Sequence, residues 1–224
     1  LEIINETALG LLALKIKPGD KVAIISANRP EWNFIDFAIQ IIGGVSVPMY
    51  PTITVEDYAY IFENAEVKFV FVEGEDLYLK AKEASKGNKK IKQIYTFDPV
   101  EGASMWTEVK ELGEGKDRAV LQPLMDAVKP SDLLTLIYTS GTTGRPKGVM
   151  LTHHNIVSNV KSLDRGRFFE LKASDKALSF LPLCHIYERT DIYMYMFYGV
   201  SVYYAESMET IADNIREVKP AMFA

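Results

Sequence analysis

Residues 133–152 read LLTLIYTSGTTGRPKGVMLT, and the rest of the chain is organised around this stretch. Leu133, Leu134, Leu136, Ile137 and Tyr138 make an apolar, strand-like run. It feeds a segment dominated by Thr, Ser and Gly that closes on Pro146-Lys147-Gly148, and Val149-Met150-Leu151 then begins a second strand. No packed core needs such a loop. Gly141, Gly144 and Gly148 can take backbone angles closed to other residues and let main-chain N–H groups approach an anion. Thr139, Ser140, Thr142 and Thr143 add hydroxyl donors, and Lys147 adds a positive charge that can reach a polyphosphate. The stretch reads as a polyphosphate cradle.

It is not the G-x-x-x-x-G-K-[ST] loop that leads directly into a helix. Gly141 and Gly144 stand too close together, and Gly148 occupies the place where Ser or Thr would hold magnesium. The exit into a strand aims no helix N-terminus at the phosphates. A P-loop kinase or GTPase is therefore disfavoured. The bland rival, a flexible glycine-rich hairpin, leaves the Thr/Gly/Lys pattern unexplained.

The composition bounds the reading. A chain of 224 residues, 48% apolar and 11% aromatic, can bury a sizeable core as one large domain or two joined halves. A net charge of −5 and the lack of an Arg/Lys stripe with interleaved aromatics argue against a nucleic-acid binder. The single cysteine, Cys184, excludes an internal disulfide framework and a multi-cysteine zinc site, and suits a reducing cytoplasm. The most apolar windows, 34–50 and 192–205, are interrupted or too short to span a bilayer. The chain opens within a helical pattern and stops inside an apolar run, as a piece of a longer protein would.

In chain order, residues 1–16 have an amphipathic helical period, and 22–27 (VAIISA) read as a buried strand. Pro30-Glu31-Trp32 opens a helix that ends at Gly43-Gly44, and VSVPMY follows as a strand. Thr54 caps the next helix, with Asp57 as a capping-box partner. Residues 69–72 are strand, 76–85 helix and 91–97 strand. Strands alternating with helices predict an α/β fold of layered βαβ halves with largely parallel sheets. Residues 98–130 are polar and glycine-punctuated, with two short helical patterns, and read as a connection. The halves are thus 1–130 and 131–224. The lysines between 86 and 92 read as a solvated face, with contact to CoA or an anionic lipid as the rival.

Beyond the loop, Thr152 caps a helix reaching about residue 169, and His153 and His154 in its first turn diverge too far to pair on a metal. A strand near 178–181, a helix over 186–197, a strand over 200–204, a helix from 207 and a strand near 221 complete the pattern. His185 follows a strand end, where α/β sheets bind ligands, although a lone histidine there is more often structural. Cys184 reads as a small buried hydrophobe. The aromatic and Met-rich stretch 192–204 reads as core or as the wall of an apolar pocket.

YTSGTTGRPKG resembles the signature loop of the adenylate-forming (AMP-binding) superfamily, which comprises acyl-CoA synthetases, luciferases and amino-acid adenylation domains. PLCH at 182–185 is similar to that superfamily's second signature. HIYERT at 185–190, ANRPEW at 27–32 and GVSVPMYPT at 44–52 resemble the long-chain fatty acid–CoA ligases in particular.

The resemblance implies a two-step reaction using ATP, Mg2+ and CoA. A fatty acid carboxylate attacks the α-phosphate of ATP to give acyl-AMP and pyrophosphate, and the CoA thiol then displaces AMP. It further implies that Thr139 helps to seat magnesium. Ser140, Gly141, Thr142, Thr143, Gly144 and Lys147 then belong to the phosphate clamp, with Lys147 catalytic. His185 would lie beside the acyl carboxylate and change orientation between half-reactions. In the family, an adenine-binding segment with a metal-ligating Glu, an Asp for the ribose and a C-terminal domain with a catalytic Lys lie downstream, and none is found in these 224 residues. Taken alone, the 224 residues are expected to show little or no ligase turnover. The expected partners are fatty acid, ATP and CoA, and not nucleic acid. The expected setting is cytoplasmic, and a fatty substrate is compatible with loose peripheral contact with a membrane. Chain-length preference and oligomeric state are not legible. A medium-chain, aryl or amino-acid activating enzyme and a non-catalytic nucleotide- or lipid-binding module are the alternatives.

Overall fold

The apolar runs become strands of two sheets. The computed structural model of the chain describes residues 1–139, 144–166 and 170–223. Two compact units emerge, one from Leu1–Ala27 and Glu31–His153, the other from Asn28–Pro30 and His154–Ala224.

The first unit is built on a seven-stranded sheet ordered β5-β4-β3-β1-β2-β6-β7. Its strands are β1 (Lys21–Ile25), β2 (Val45–Met49), β3 (Val67–Val72), β4 (Gln93–Thr96), β5 (Ser104–Met105), β6 (Leu133–Thr139) and β7 (Lys147–Thr152). All neighbours are parallel except β6 and β7, which pair antiparallel across the loop that joins them. Helices α2 (Pro30–Ile41), α3 (Val55–Asn64) and α4 (Gly74–Ala84) are the crossovers between the first four strands. A parallel sheet with helical crossovers is covered on both faces, so its strands are apolar throughout rather than alternating. Accordingly Ala23, Ile25, Val47, Met49, Val70 and Val72 join Tyr58, Ile61, Phe62, Tyr78 and Ala81 of α3 and α4 in one cluster. Their strand neighbours Val22, Ile24 and Phe71 are equally buried, and Phe71 stacks on Tyr95 at 5.2 Å and on Phe97 at 6.4 Å between ring centroids. The Thr54 cap forms as expected: its hydroxyl accepts from the Asp57 amide (3.1 Å) while Asp57 accepts from the Thr54 amide (3.4 Å).

Residues 98–130 hold two short helices, as their pattern suggests, α5 (Trp106–Glu111) and α6 (Leu121–Ala127), together with β5 and a 3-10 turn (Arg118–Val120). One expectation needs correction: the division between units falls after His153 rather than near residue 130. The reason is pairing: β6 bonds to β2 at Ser46/Thr135, and the buried Thr135 hydroxyl donates to the Ser46 carbonyl at 2.8 Å. The loop's two strands therefore remain with the first sheet.

The second unit holds a parallel three-stranded sheet ordered β10-β8-β9, from β8 (Lys176–Ser179), β9 (Ser201–Tyr204) and β10 (Met222–Phe223). Around it stand α7 (His153–Arg165), α8 (Ile186–Tyr198) and α9 (Ile211–Val218). Among the described residues, no helix is long and apolar enough to cross a membrane.

Helix α1 (Glu2–Ala13) meets α5 at unusually close range, and two glycines permit it. A Cβ on Gly10 would stand 1.7 Å from the Val109 carbonyl oxygen, and one on Gly113 would stand 1.9 Å from that of Glu6. Backbone cannot yield as a flexible side chain would. Gly10→Ala and Gly113→Ala are each expected to cost about 3 kcal/mol, the upper range of overpacking, seen as a lower urea midpoint at unchanged slope. An unshifted midpoint would show that the helices can separate freely.

Candidate functional site

The first unit carries the loop stem. Tyr138 faces Gly148 and Thr139 faces Lys147 across the β6/β7 pair, so the Thr hydroxyl and the Lys ammonium leave the sheet edge side by side. Thr139, Gly144 and Lys147 are all exposed. Gly144 adopts φ +91° with nothing within 4 Å of where a Cβ would stand, which leaves its backbone open to an incoming group. Ser140, Gly141, Thr142 and Thr143 lie outside the described residues. Lys147 begins β7, so the expected exit into a strand is observed.

Helix α3 supports this stem, which sequence reasoning missed. The Tyr138 hydroxyl donates to Asn64 Oδ1 at 2.6 Å, and the Arg145 guanidinium lies 5.3 Å from the centre of the Tyr60 ring. Tyr60 and Asn64 are one helical turn apart and share a face. Burial, aided by nearby Tyr60, pushes the Tyr138 phenol up to about 12, so it remains a donor at neutral pH. Gly148 lies close against it: a Cβ there would come within 3.1 Å of the Tyr138 ring.

The second unit carries His185. Residues 180–185 link β8 to α8, and the His185 amide donates to the Pro182 carbonyl at 2.8 Å to close a turn. His185 is the N-cap of α8: its Nδ1 accepts from the Tyr187 amide at 3.2 Å. That bond occupies Nδ1 as an acceptor and leaves Nε2 as the available edge of an exposed ring. Cys184 is buried, as a small hydrophobe would be. His154 is exposed in the first turn of α7. Asn28 grips this link from far away in sequence. Its Nδ2 donates to Ser179 Oγ (3.0 Å) and to the Leu181 carbonyl (2.7 Å), and its Oδ1 accepts from the Leu183 amide (3.0 Å).

Below the turn, Glu188 and Asp191 are buried one helical turn apart on α8, 1% and 6% exposed. Neither Glu188 oxygen nor Asp191 Oδ2 has a hydrogen-bond partner among the described residues. Burial pushes Asp191 up to about 6. Burial, then the charge of Asp191, pushes Glu188 up to about 7; the Ser179 hydroxyl and the Leu181 backbone, close to it but outside hydrogen-bond geometry, hold it back. Burial and these two carboxylates also raise the Tyr195 phenol. Arg189 between them is fully buried, with its guanidinium 5.7 Å from the centre of the Tyr193 ring. A run of charged residues in a helix reads as a solvated face, and only the tertiary structure shows that it is inside.

The raised Glu188 value has a signed consequence. Between pH about 4.5 and about 7 the folded chain keeps a proton that the unfolded chain releases, so stability falls as pH rises through that window. Glu188→Gln should match the natural chain near pH 4.5 and exceed it at pH 8, by up to about 3 kcal/mol. Denaturation across that range checks this, and parallel curves for the two proteins would refute it.

Thr139 offers one hydroxyl, whereas a magnesium ion also takes carboxylate, water or phosphate oxygens. Among the described residues, no group of three or more His, Cys, Asp or Glu side chains could hold a metal ion.

The family model for the AMP-binding enzyme matches residues 1–224. The chain is 33% identical over 220 residues to the long-chain-fatty-acid–CoA ligase FadD15 of Mycobacterium tuberculosis, covering 98% of this chain and 36% of that protein. It is 32% identical over 225 residues to fatty acyl-CoA synthetase B of Dictyostelium discoideum, covering 96% and 33%. Among solved structures, the long-chain-fatty-acid–CoA ligase FadD1 of Archaeoglobus fulgidus superposes with a TM-score of 0.82 at 23% identity, over 99% of this chain and 43% of that one. That likeness shows the fold: an α/β architecture shared with part of an acyl-CoA synthetase. The chain spans about a third of the length of these curated relatives, and with a match along its whole length it belongs to the AMP-binding enzyme family.

Proposed function

We propose that this chain is part of a long-chain fatty acid–CoA ligase that works in the cytoplasm or loosely against a membrane. The observation that carries the reading is the cross-strand pair Thr139/Lys147, at the mouth of a Thr/Gly-rich loop, in a chain whose relatives include a named long-chain-fatty-acid–CoA ligase and a fatty acyl-CoA synthetase. A carboxylate is a poor acylating agent until its oxygen leaves as part of a phosphate. In the first step a fatty acid carboxylate oxygen bonds to the α-phosphorus of ATP, and the bond to the β-phosphate breaks to release pyrophosphate. In the second, the CoA sulfur bonds to the acyl carbon, AMP leaves with the electron pair, and the thiol proton passes to solvent or a base.

The first step builds negative charge on the departing pyrophosphate. Lys147 meets it with a positive charge, and Thr139 with a hydroxyl from the opposite strand. Gly144 leaves backbone open for close approach, and Ser140, Gly141, Thr142 and Thr143 complete the clamp. Such preorganised donors act where charge develops in the transition state. Thr139 would add one oxygen to a magnesium ion that comes with the nucleotide and neutralises its phosphates. His185, with Nδ1 tied to its own helix, offers Nε2 to the acyl carboxylate. The chain's own contribution is thus to bind, orient and neutralise.

ATP–pyrophosphate exchange by the full-length parent protein tests this, with fatty acids of increasing length. Exchange should require a long-chain acid, and Lys147→Ala should lower its rate by about 100-fold or more. With CoA added, the acyl thioester should accumulate. A folded protein that supports no exchange with any carboxylate would be a nucleotide-binding relative without the chemistry.

A further inference from the structure

We infer that Asn28 is a positioning residue for His185, holding the turn on which the imidazole stands; the inference rests on the role proposed for His185 above. One side chain makes three hydrogen bonds to the link between β8 and α8, and they fall on both sides of Pro182. Its two N–H donors go to Ser179 Oγ and the Leu181 carbonyl, and its oxygen takes the Leu183 amide. Only a carboxamide offers two donors and an acceptor from one planar group. Pro182 itself has no amide to give, and its carbonyl receives the His185 amide. The grip therefore passes to His185 through a single turn.

Residues 180–185 belong to no helix or strand, and the Asn28 bonds span 151 to 155 positions of sequence. Ser179 and Leu181, the two groups held by Nδ2, also lie against the buried Glu188. Without Asn28, that pair would be free to turn toward the carboxyl group and carry the turn with it.

The experiment uses the full-length protein in the exchange assay, with Asn28→Ala, Asn28→Asp, His185→Ala and the Asn28→Ala/His185→Ala double variant. Hydrogen exchange at the Leu183 amide reports the grip directly. Asn28→Ala should speed Leu183 exchange and lower kcat by about 10- to 100-fold, the scale of a misplaced reactive group, with the KM for ATP changed less than about threefold. Asn28→Asp keeps the acceptor for Leu183 but sets a carboxylate oxygen against the Leu181 carbonyl; it should lower kcat while Leu183 stays protected. It also carries the test if Asn28→Ala does not accumulate folded. The double variant should be no slower than His185→Ala alone, because residues that act through one another are not additive. Full kcat in both Asn28 variants beside an impaired His185→Ala would overturn the inference alone, as would losses that multiply in the double variant. Full activity in His185→Ala would overturn the role of His185 and this inference with it.

Discussion

The parallel pairing of β1 with β2 on one side and β3 on the other is the constraint on which the first unit depends. A strand flanked in this way presents no edge and is covered on both faces, so Val22, Ala23, Ile24 and Ile25 can all be apolar and all buried. Parallel neighbours cannot be joined by a tight turn, which is why α2 and α3 must exist as crossovers. The order β3-β1-β2 also forces a reversal of direction at β1, and the chain leaves that point through Ser26 and Ala27, tied to Glu73. Packing in the sheet thus fixes where a polar segment can emerge.

The antiparallel pair β6/β7 obeys a different rule. β6 continues the parallel sheet from β2, and β7 returns beside it through a loop too short for a crossover. β7 is exposed along most of its length, with Met150 at 69%. The stem is therefore held from the side, by Asn64 on Tyr138 and by the Tyr60 ring under Arg145.

Most elements were legible because each has a local cause. Continuous apolar runs such as VAIISA and FVFV can only be buried strands in a chain that alternates them with helices, and Thr54 with Asp57 marks a helix start wherever it occurs. What could not be read depends on partners far away. Gly113 looked like punctuation in a polar connection, yet it is where a loop backbone meets α1. The boundary near 130 was misplaced because nothing local says that Thr135 will bond to Ser46. The loop and His185 were legible as residue types. Asn28, Asn64 and Glu188 were not, since an amide or a carboxylate in an ordinary polar segment carries no mark of the side chain it will meet.

Thr139, Gly144 and Lys147 are exposed, so hydrophobic burial gives no account of their presence. Glu188 is the opposite case. Inside the second unit, an apolar side chain of similar size would avoid the desolvation of a carboxylate, which above its raised pKa works against the fold. Local choices that stability does not explain concentrate where a protein has something other than stability to satisfy. The Glu188 carboxyl lies against Ser179 and Leu181, the two groups that Asn28 holds, and His185 stands at the end of the same turn. The cost of the buried acid and the placement of the imidazole thus meet at one turn.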